Sequence, residues 1–472
     1  MKTIYILLKK KIIQAIGVWI LIPISIGIIG LSCGCESFVE TESPKNELVT
    51  ASVFENEASA VSVVTGIYSR MMGSIGFASG HYQSVTIQGG LYADELDRYR
   101  ATSAFYENAL TADESAVNSR WWQEPYQYIY TCNVILEKLN LSENISDVVK
   151  KQLEGEAKFI RAFCYFYLVN TFGDVPLHLN SDYLENSDKE RSPVNDVYNQ
   201  ITSDLKDAHN LLPEDYILSN YEKTRPNKYV ASALLARVYL YLEDWHQAEV
   251  FASEVINNTT LYALEPDLSK VFLKNSHEAI WQLAPVNPHL NTKEGFRFIL
   301  TSAPPRTQAL TENLVNAFND TDQRLVNWIK SVTDGENIWY YPYKYKIRAA
   351  DEVTEYSMVM RLAEQYLIRA EASTQNEDFL GAQMDLNKIR NRAGLDDTLV
   401  SSKEELLTAI YKERRLELFT EWAHRWFDLK RTGRANVVLG NAKPNWDDND
   451  NLFPIPTEEL LRNSKMTQNP GY

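Results

Sequence analysis

The sequence predicts a mainly α-helical protein whose scaffold is built from tetratricopeptide-like helix pairs, with a loop-rich, aromatic-rich region and a few short strands set between them. Three observations predict it. Apolar residues recur at helical spacing over most of the chain, two stretches repeat one helix-turn-helix pattern, and the stretch between those two breaks the helical period. With 472 residues, 44% of them hydrophobic, the chain can bury one large core or two moderate ones, which excludes wholesale disorder.

The helical period runs over 53–72, 120–139, 148–171, 194–212, 228–256, 360–392 and 403–430. In one repeated stretch Leu235, Ala236 and Tyr239 lead to Trp245 and Ala248; in the other Leu367 and Ala370 lead to Phe379, Ala382 and Leu386, and the interval from first alanine to second is 12 residues in both. Small residues let two helices approach, and a tetratricopeptide-like pair cannot bury its apolar face alone, so it stacks on neighbours. Repeats this far apart in sequence predict an interrupted solenoid. The scaffold is expected over 50–256 and 346–472. Between them, 257–345 is rich in proline, glycine and aromatics, with only short apolar stretches such as 279–283 and 296–300. Irregular loops with a few strands are expected there, and large loops on a rigid frame are where binding usually resides.

The N-terminus predicts the compartment. Lys2, Lys9, Lys10 and Lys11 precede an apolar run over 12–31, which ends in Ser32, Cys33 and Gly34 ahead of Cys35, the pattern of an export signal over 1–34. A run of that length could also be retained as a membrane helix, but Pro23 and three internal glycines weaken that alternative. A cysteine at the end of such a run is what bacterial lipoprotein processing needs, because its thiol receives the diacylglyceryl group. Cys35, preceded by small Gly34, is the better acceptor than Cys33, and 35–49 is then a polar, lipidated tether.

Acids outnumber bases 63 to 47, for a formal charge of -16, and loss of the lysine-bearing leader makes the remainder more negative still. Nucleic acid is excluded, since phosphate binding needs a basic footprint. Strongly anionic polysaccharides are disfavoured less firmly, because a local basic groove can override the net field, and a neutral ligand is the simpler expectation. Cys132 and Cys164 lie in apolar helical patterns and read as buried thiols, and four cysteines without paired spacing give no zinc site.

Enzyme motifs fail one by one. His277-Glu278 is followed by Trp281 where a zinc protease needs its second histidine, and neither a Gly-x-Ser-x-Gly elbow nor a phosphate-binding Gly-Lys-Ser/Thr loop occurs. Asp94, Glu95, Asp320 and Asp322 could pair for glycoside cleavage but read as solvated acids or caps. The acidic segment 447–450 lacks the twelve-residue calcium pattern. No catalytic residue, metal or cofactor is expected.

A series of blocks then becomes recognisable. Phe38, Val39 and Glu40 precede Pro44 just after Cys35; Trp121 and Trp122 are followed by Tyr126, Ile129 and Asn133; Gly-Glu-Ala-Lys-Phe-Ile-Arg-Ala fills 155–162 and Gly-Asp-Val-Pro fills 173–176. Further blocks stand at 366–371, 387–394, 413–418, 425–429, 453–456 (Phe-Pro-Ile-Pro) and 468–472. Over nearly the whole chain this resembles the SusD/RagB family of outer-membrane nutrient-binding lipoproteins. The resemblance implies a SusD-like fold, a lipid anchor at the outer membrane with the protein on the cell surface, and a SusC-like, TonB-dependent barrel as partner, over which the protein sits as a lid. It also implies capture and delivery of a glycan without bond breaking. The chain departs from the pattern upstream of Cys35, where the usual leucine at the third position is missing.

A sugar offers an apolar ring face bounded by hydroxyls, so its site needs flat aromatics with amide, acid or guanidinium groups beside them. Two regions supply both. One holds His81, Tyr82 and, after the Asp94-Glu95 pair, Arg98 and Tyr99; the resemblance places a ligand-binding aromatic just after such a pair, at Tyr99. The other holds His289, Asn291, Phe296 and Arg297, followed by Trp339 and Tyr340. Against this, 339–345 also reads as an alternating strand with Tyr341, Tyr343 and Tyr345 turned to the core. Arg161, Arg369, Arg390 and Arg414 read as helix-to-helix ion pairs, and Trp121, Trp245 and Trp426 as core. Two alternatives stay open: an oligopeptide as ligand, or a protein-binding scaffold with no small-ligand site. The scaffold reading is separated by whether Tyr99, Trp339 and Tyr340 converge on a solvent-facing patch.

Overall fold

The structure is a computed structural model that describes residues 53–472 apart from 74, 75, 101, 288 and 401. Residues Phe54–Tyr472 form one compact unit. The leader, Cys33, Cys35 and the tether lie outside the described residues.

The helices of eight residues or more among the described residues are α1 (Glu57–Met71), α2 (Val85–Tyr92), α3 (Glu124–Leu139), α4 (Asp147–Phe172), α5 (Val194–Leu211) and α6 (Lys228–Tyr241). They continue with α7 (Trp245–Ile256), α8 (Leu362–Gln375), α9 (Phe379–Arg392), α10 (Lys403–Leu418), α11 (His424–Arg431) and α12 (Ala435–Ala442). The two repeated stretches become the pairs α6–α7 and α8–α9, and their turns are alike. Glu243 (φ 58°) and Glu377 (φ 69°) each adopt the left-handed conformation, and each is followed by an aspartate cap. Asp244 accepts from the Gln247 amide (3.2 Å) and Asp378 from the Gly381 amide (3.0 Å), ahead of Trp245 and Phe379. Trp245 is half-buried at the first helical position, so it does not join the core as expected; Trp121 and Trp426 do.

The expected interruption of the solenoid does not occur in space. From α3 to α10 each helix packs against the next, and α7 lies directly on α8 although more than a hundred residues separate them in sequence. The reason is that the insertion leaves and returns at one place. Strand β2 (Ala279–Leu283) pairs antiparallel with β6 (Ser357–Arg361), Ala279 opposite Arg361, so the two ends of the excursion are joined beside the stack. Long loops whose ends are held together add little entropic cost. Helix does not begin at Met360, which belongs to β6, but at Leu362.

Within the excursion, β1 (Leu96–Arg98) pairs with β3 (Gln308–Leu310), and β4 (Ile329–Thr333) with β5 (Ile338–Pro342), giving three separate two-stranded sheets. The stretch expected to be apolar and irregular at 296–300 instead starts in a short helix, Lys293–Phe298, because the Thr292 hydroxyl caps the Gly295 amide (3.0 Å). The expected single helix over 403–430 breaks after Leu418. The carbonyls of Glu417 and Phe419 accept from the Lys344 ammonium (both 2.8 Å), and Thr420, Trp422 and Ala423 take positive φ. Helix α2 packs on this turn so closely that a Cβ on Gly89 would come within 2.2 Å of the Ala423 Cβ.

Buried charge fastens the excursion to the stack. The Arg361 guanidinium meets Glu278 (2.9 Å), Glu417 (2.5 Å) and Glu421 (2.9 Å); Arg324 meets Glu417 (3.0 Å), Glu413 (2.7 Å) and Asp322 (2.8 Å); Arg392 bridges Glu278 and Glu417. The anticipated helix-to-helix ion pairs also form: Arg161 with Asp204 (2.7 Å), Arg369 with Asp385 (2.6 Å), Arg414 with Asp428 (2.8 Å) and Arg390 with Glu413 (3.5 Å). Between α6 and α8, Arg237 grips Glu364 with two bonds (2.7 and 2.6 Å).

Burial alone would raise the Glu364 carboxyl, but the Arg237 guanidinium outweighs it and takes the group from 4.5 down to about 2; Glu417 is lowered for the same reason by Arg392, Arg361 and Arg324. A carboxylate whose folded pKa is depressed stabilises the fold above its unfolded pKa and loses that contribution as pH falls toward the folded one. The contribution of these two carboxylates is therefore expected to be complete above about pH 5 and to fall progressively from about pH 4.5 toward pH 2, read as a Tm that declines over that range in the parent and less in Glu364→Gln.

Cys132 and Cys164 are both buried free thiols, and burial pushes the Cys132 thiol up to about 12. Among the described residues no helix is long and apolar enough to cross a membrane, and no group of three potential metal ligands is gathered.

Candidate ligand cleft

The candidate site begins at α2. Its residues are buried on every side, its Tyr92 hydroxyl donates to the Asp450 carbonyl (3.0 Å), and its Gln88 side chain accepts from the Trp121 indole (2.6 Å). The Asp94-Glu95 pair that follows clamps the chain. Asp94 takes two bonds from Arg425 (2.7 and 2.8 Å) and one from Arg415 (3.0 Å); Glu95 is buried against the Thr420 amide (3.1 Å), and burial pushes its carboxyl up to about 7. Chain direction is thereby fixed as it enters β1, where Tyr99 extends the ribbon by donating its amide to the Thr307 carbonyl (2.8 Å).

Opposite, Trp339 and Tyr340 stand on β5, paired with Val332 and Ser331 of β4. The hairpin turn is built on Asp334, whose carboxylate accepts from the Glu336 (3.0 Å) and Asn337 (2.8 Å) amides, while Gly335 takes φ 100°. Strand β3 packs on β5, so the two ribbons bring residues 99 and 339–340 to one place.

They open onto a cleft of about 900 Å³. Tyr99, Trp339 and Tyr340 all line it, together with Asp97, Tyr106 and Glu107 on one wall, 310–313, Val315 and Asn316 on another, and Lys443 to Asn445 just after α12. The three aromatics are partly exposed. Burial raises the Tyr99 phenol above its ordinary value, Asp97 adds to this, and the neighbouring Trp339 indole opposes it. Asp97 accepts from the Tyr106 hydroxyl (3.2 Å). Lys443 is occupied structurally: its ammonium bonds the Leu91 (2.8 Å) and Tyr106 (3.2 Å) carbonyls and lies 4.1 Å from the Tyr106 ring centroid, and burial lowers it to about 8. What the cleft offers a ligand is flat aromatic surface edged by carboxylates and the amides of Asn313, Asn316, Asn337 and Asn445.

The other sequence candidates are not brought there. Arg98, between Asp97 and Tyr99, is not among the residues that line the cleft. His81, Tyr82 and Phe296 gather elsewhere around Arg297, and His289 is an exposed residue bonded to Asp351 (2.6 Å). Tyr341 and Tyr345 are buried as the strand pattern predicts, but Tyr343 is only half-buried, because the strand ends at Pro342 and the alternation stops there. Sequence reasoning missed Tyr106, Lys443 and Asn445 as lining residues. The segment after α12 carries no motif that marks it. The acids at 447–450 fold into a capped turn, Asp450 accepting from the Asp447 amide (2.7 Å).

Comparison with known proteins decides the family. A family described as starch-binding and associating with the outer membrane matches residues 42–240, and the SusD family matches 311–472. The chain belongs to the SusD/RagB family. SusD-like protein P2 of Formosa agariphila is 28% identical to it, over 93% of this chain and 97% of the relative. The starch-binding protein SusD of Bacteroides thetaiotaomicron is 22% identical over 71% and 75%. Among solved structures, a laminarin-binding SusD-like protein superposes with a TM-score of 0.75 at 25% identity, covering 89% of this chain and all of that one. A SusD superfamily protein of Bacteroides vulgatus gives 0.76 at 22% identity over 89% and 100%. The SusD-like fold is thus shared over nearly the whole described chain.

Proposed function

We propose that this SusD-like protein is a cell-surface glycan-binding lipoprotein: it holds a polysaccharide or oligosaccharide in the cleft on Tyr99, Trp339 and Tyr340 and hands it to a SusC-like, TonB-dependent outer-membrane barrel, without cleaving it. The convergence of three partly exposed aromatics from distant strands on one amide-edged cleft carries the reading. Aromatic faces take sugar rings and the amides and acids take hydroxyls. Starch and laminarin, in the names of a relative and of a structural neighbour, are neutral glucans, and the acid-rich edge of the cleft suits an uncharged sugar there. Both oxygens of Asp94 are held by guanidiniums and Glu95 is sealed in the core, which supports binding in place of hydrolysis.

Affinity electrophoresis through a panel of neutral and acidic polysaccharides tests the ligand class; retardation by a glycan is expected. Retention of peptides and no glycan would favour the oligopeptide reading, and retention of neither would favour the scaffold. The anchor rests on Cys35: Cys35→Ala is expected to abolish labelling by radioactive palmitate and to release the protein from the membrane fraction, whereas Cys33→Ala leaves both unchanged.

A further inference from the structure

Behind the β1–β3 ribbon, away from the cleft, lies a group of cationic and aromatic side chains with the opposite charge preference. Gln308, opposite Arg98 in the ribbon, donates its amide to the Arg297 carbonyl (3.1 Å), which fixes the start of this group. The Arg297 guanidinium lies over Tyr82 (5.4 Å to the ring centroid) and Phe296 (5.3 Å), and the exposed Arg348 lies over the same Phe296 ring at 4.4 Å. Tyr82 is 41% exposed and its ring packs on His81.

His81 sets the direction of Arg297. A guanidinium only donates, so the imidazole Nε2 facing it is an acceptor and the ring is neutral, its proton on Nδ1; burial first, then the charge of Arg297, lowers its pKa to about 4. That Nδ1 is buried without a partner among the described residues, as is the Arg297 Nε. The carboxylates of this neighbourhood make no ion pair with either arginine: Glu294 accepts from the Ser357 hydroxyl and its other oxygen is buried without a partner, Asp351 bonds His289, and Glu124 pairs with Arg120 (3.6 Å). Two like charges are therefore held together on one aromatic ring, on a strongly acidic protein, with no counter-charge among the described residues. A partly desolvated cation is ordinarily paired, and a guanidinium stacked on an aromatic presents its remaining N–H groups as a planar fork that fits a carboxylate or sulfate.

We propose that Arg297 and Arg348, set around Phe296 and Tyr82 and aligned by His81, bind an anionic substituent of a sugar, a carboxylate or a sulfate ester. The cleft keeps the neutral part of the chain and this cluster takes the charged part. The proposal rests on the glycan reading of the cleft only for the sugar that bears the anion.

The test uses full-length protein in detergent and three gels of related backbone: galactan, polygalacturonate and a sulfated galactan. Retardation by one or both charged gels is expected to exceed that by galactan about tenfold, to weaken with added salt, and to lose that excess in Arg348→Gln and in Arg297→Gln/Arg348→Gln. Which charged gel is preferred separates carboxylate from sulfate. Arg348 is exposed, so its single variant keeps the fold and serves as the decisive one. Equal retardation by neutral and charged gels, or an excess that survives both variants, would overturn the proposal. Binding only to the charged gels, lost in the arginine variants and untouched by Tyr99→Ala, would overturn the cleft reading and leave this one standing.

Discussion

Glu417→Ala is expected to destabilise the protein by about 3–5 kcal/mol, because it leaves Arg361, Arg324 and Arg392 buried with their shared counter-charge gone. The loss should appear as a lower midpoint in urea with an unchanged slope. Glu458→Ala is the control: Glu458 pairs with Arg462 at 3.1 Å on the exposed surface, where such a pair contributes under about 1 kcal/mol. The contrast has functional weight. Arg361 ends β6, Glu278 precedes β2, and Glu417 stands in the last turn of α10, so the same charges that stabilise the fold tie the cleft-bearing excursion to the helical stack. If Glu417→Ala proved no more costly than Glu458→Ala, the network would not be what holds the excursion.

Trp339→Ala is expected to weaken glycan binding by about 2 kcal/mol, roughly 30-fold, with Tyr99→Ala close behind and the double variant without measurable retardation. Both residues are partly exposed on strands whose backbone pairing does not depend on their side chains, so the variants should keep the parent Tm within a few degrees. Gel retardation and Tm measured on the same preparations separate lost contact from lost fold.

How much of this could be read in the sequence depended on how local the cause was. Helical periods and the two repeated helix pairs are set by spacing within each segment, and they were legible; that Arg161, Arg369 and Arg414 would pair across helices was legible from their place among acids on amphipathic faces, although their partners Asp204, Asp385 and Asp428 stand on neighbouring helices. The break after Leu418 was not, because it is imposed by Lys344 and by helix α2 packing from outside the segment. Continuity of the helical stack across the excursion was equally hidden, since it depends on β2 finding β6. Tyr99 was reachable through the Asp94-Glu95 pair before it, and the structure supplies the physical reason: the pair clamps the chain to Arg425 and Thr420. The wall formed by Tyr106, Lys443 and Asn445 has no such signal, as it comes from two segments more than three hundred residues apart.

Hydroxyl-radical footprinting of the protein with and without a retained oligosaccharide tests the central claim most directly. Protection is predicted at Tyr99, Trp339 and Tyr340, with Tyr130 and Tyr183, exposed in a groove elsewhere, unchanged. Protection of Tyr130 and Tyr183 with the three cleft aromatics still fully reactive would contradict it and move the ligand site to that groove.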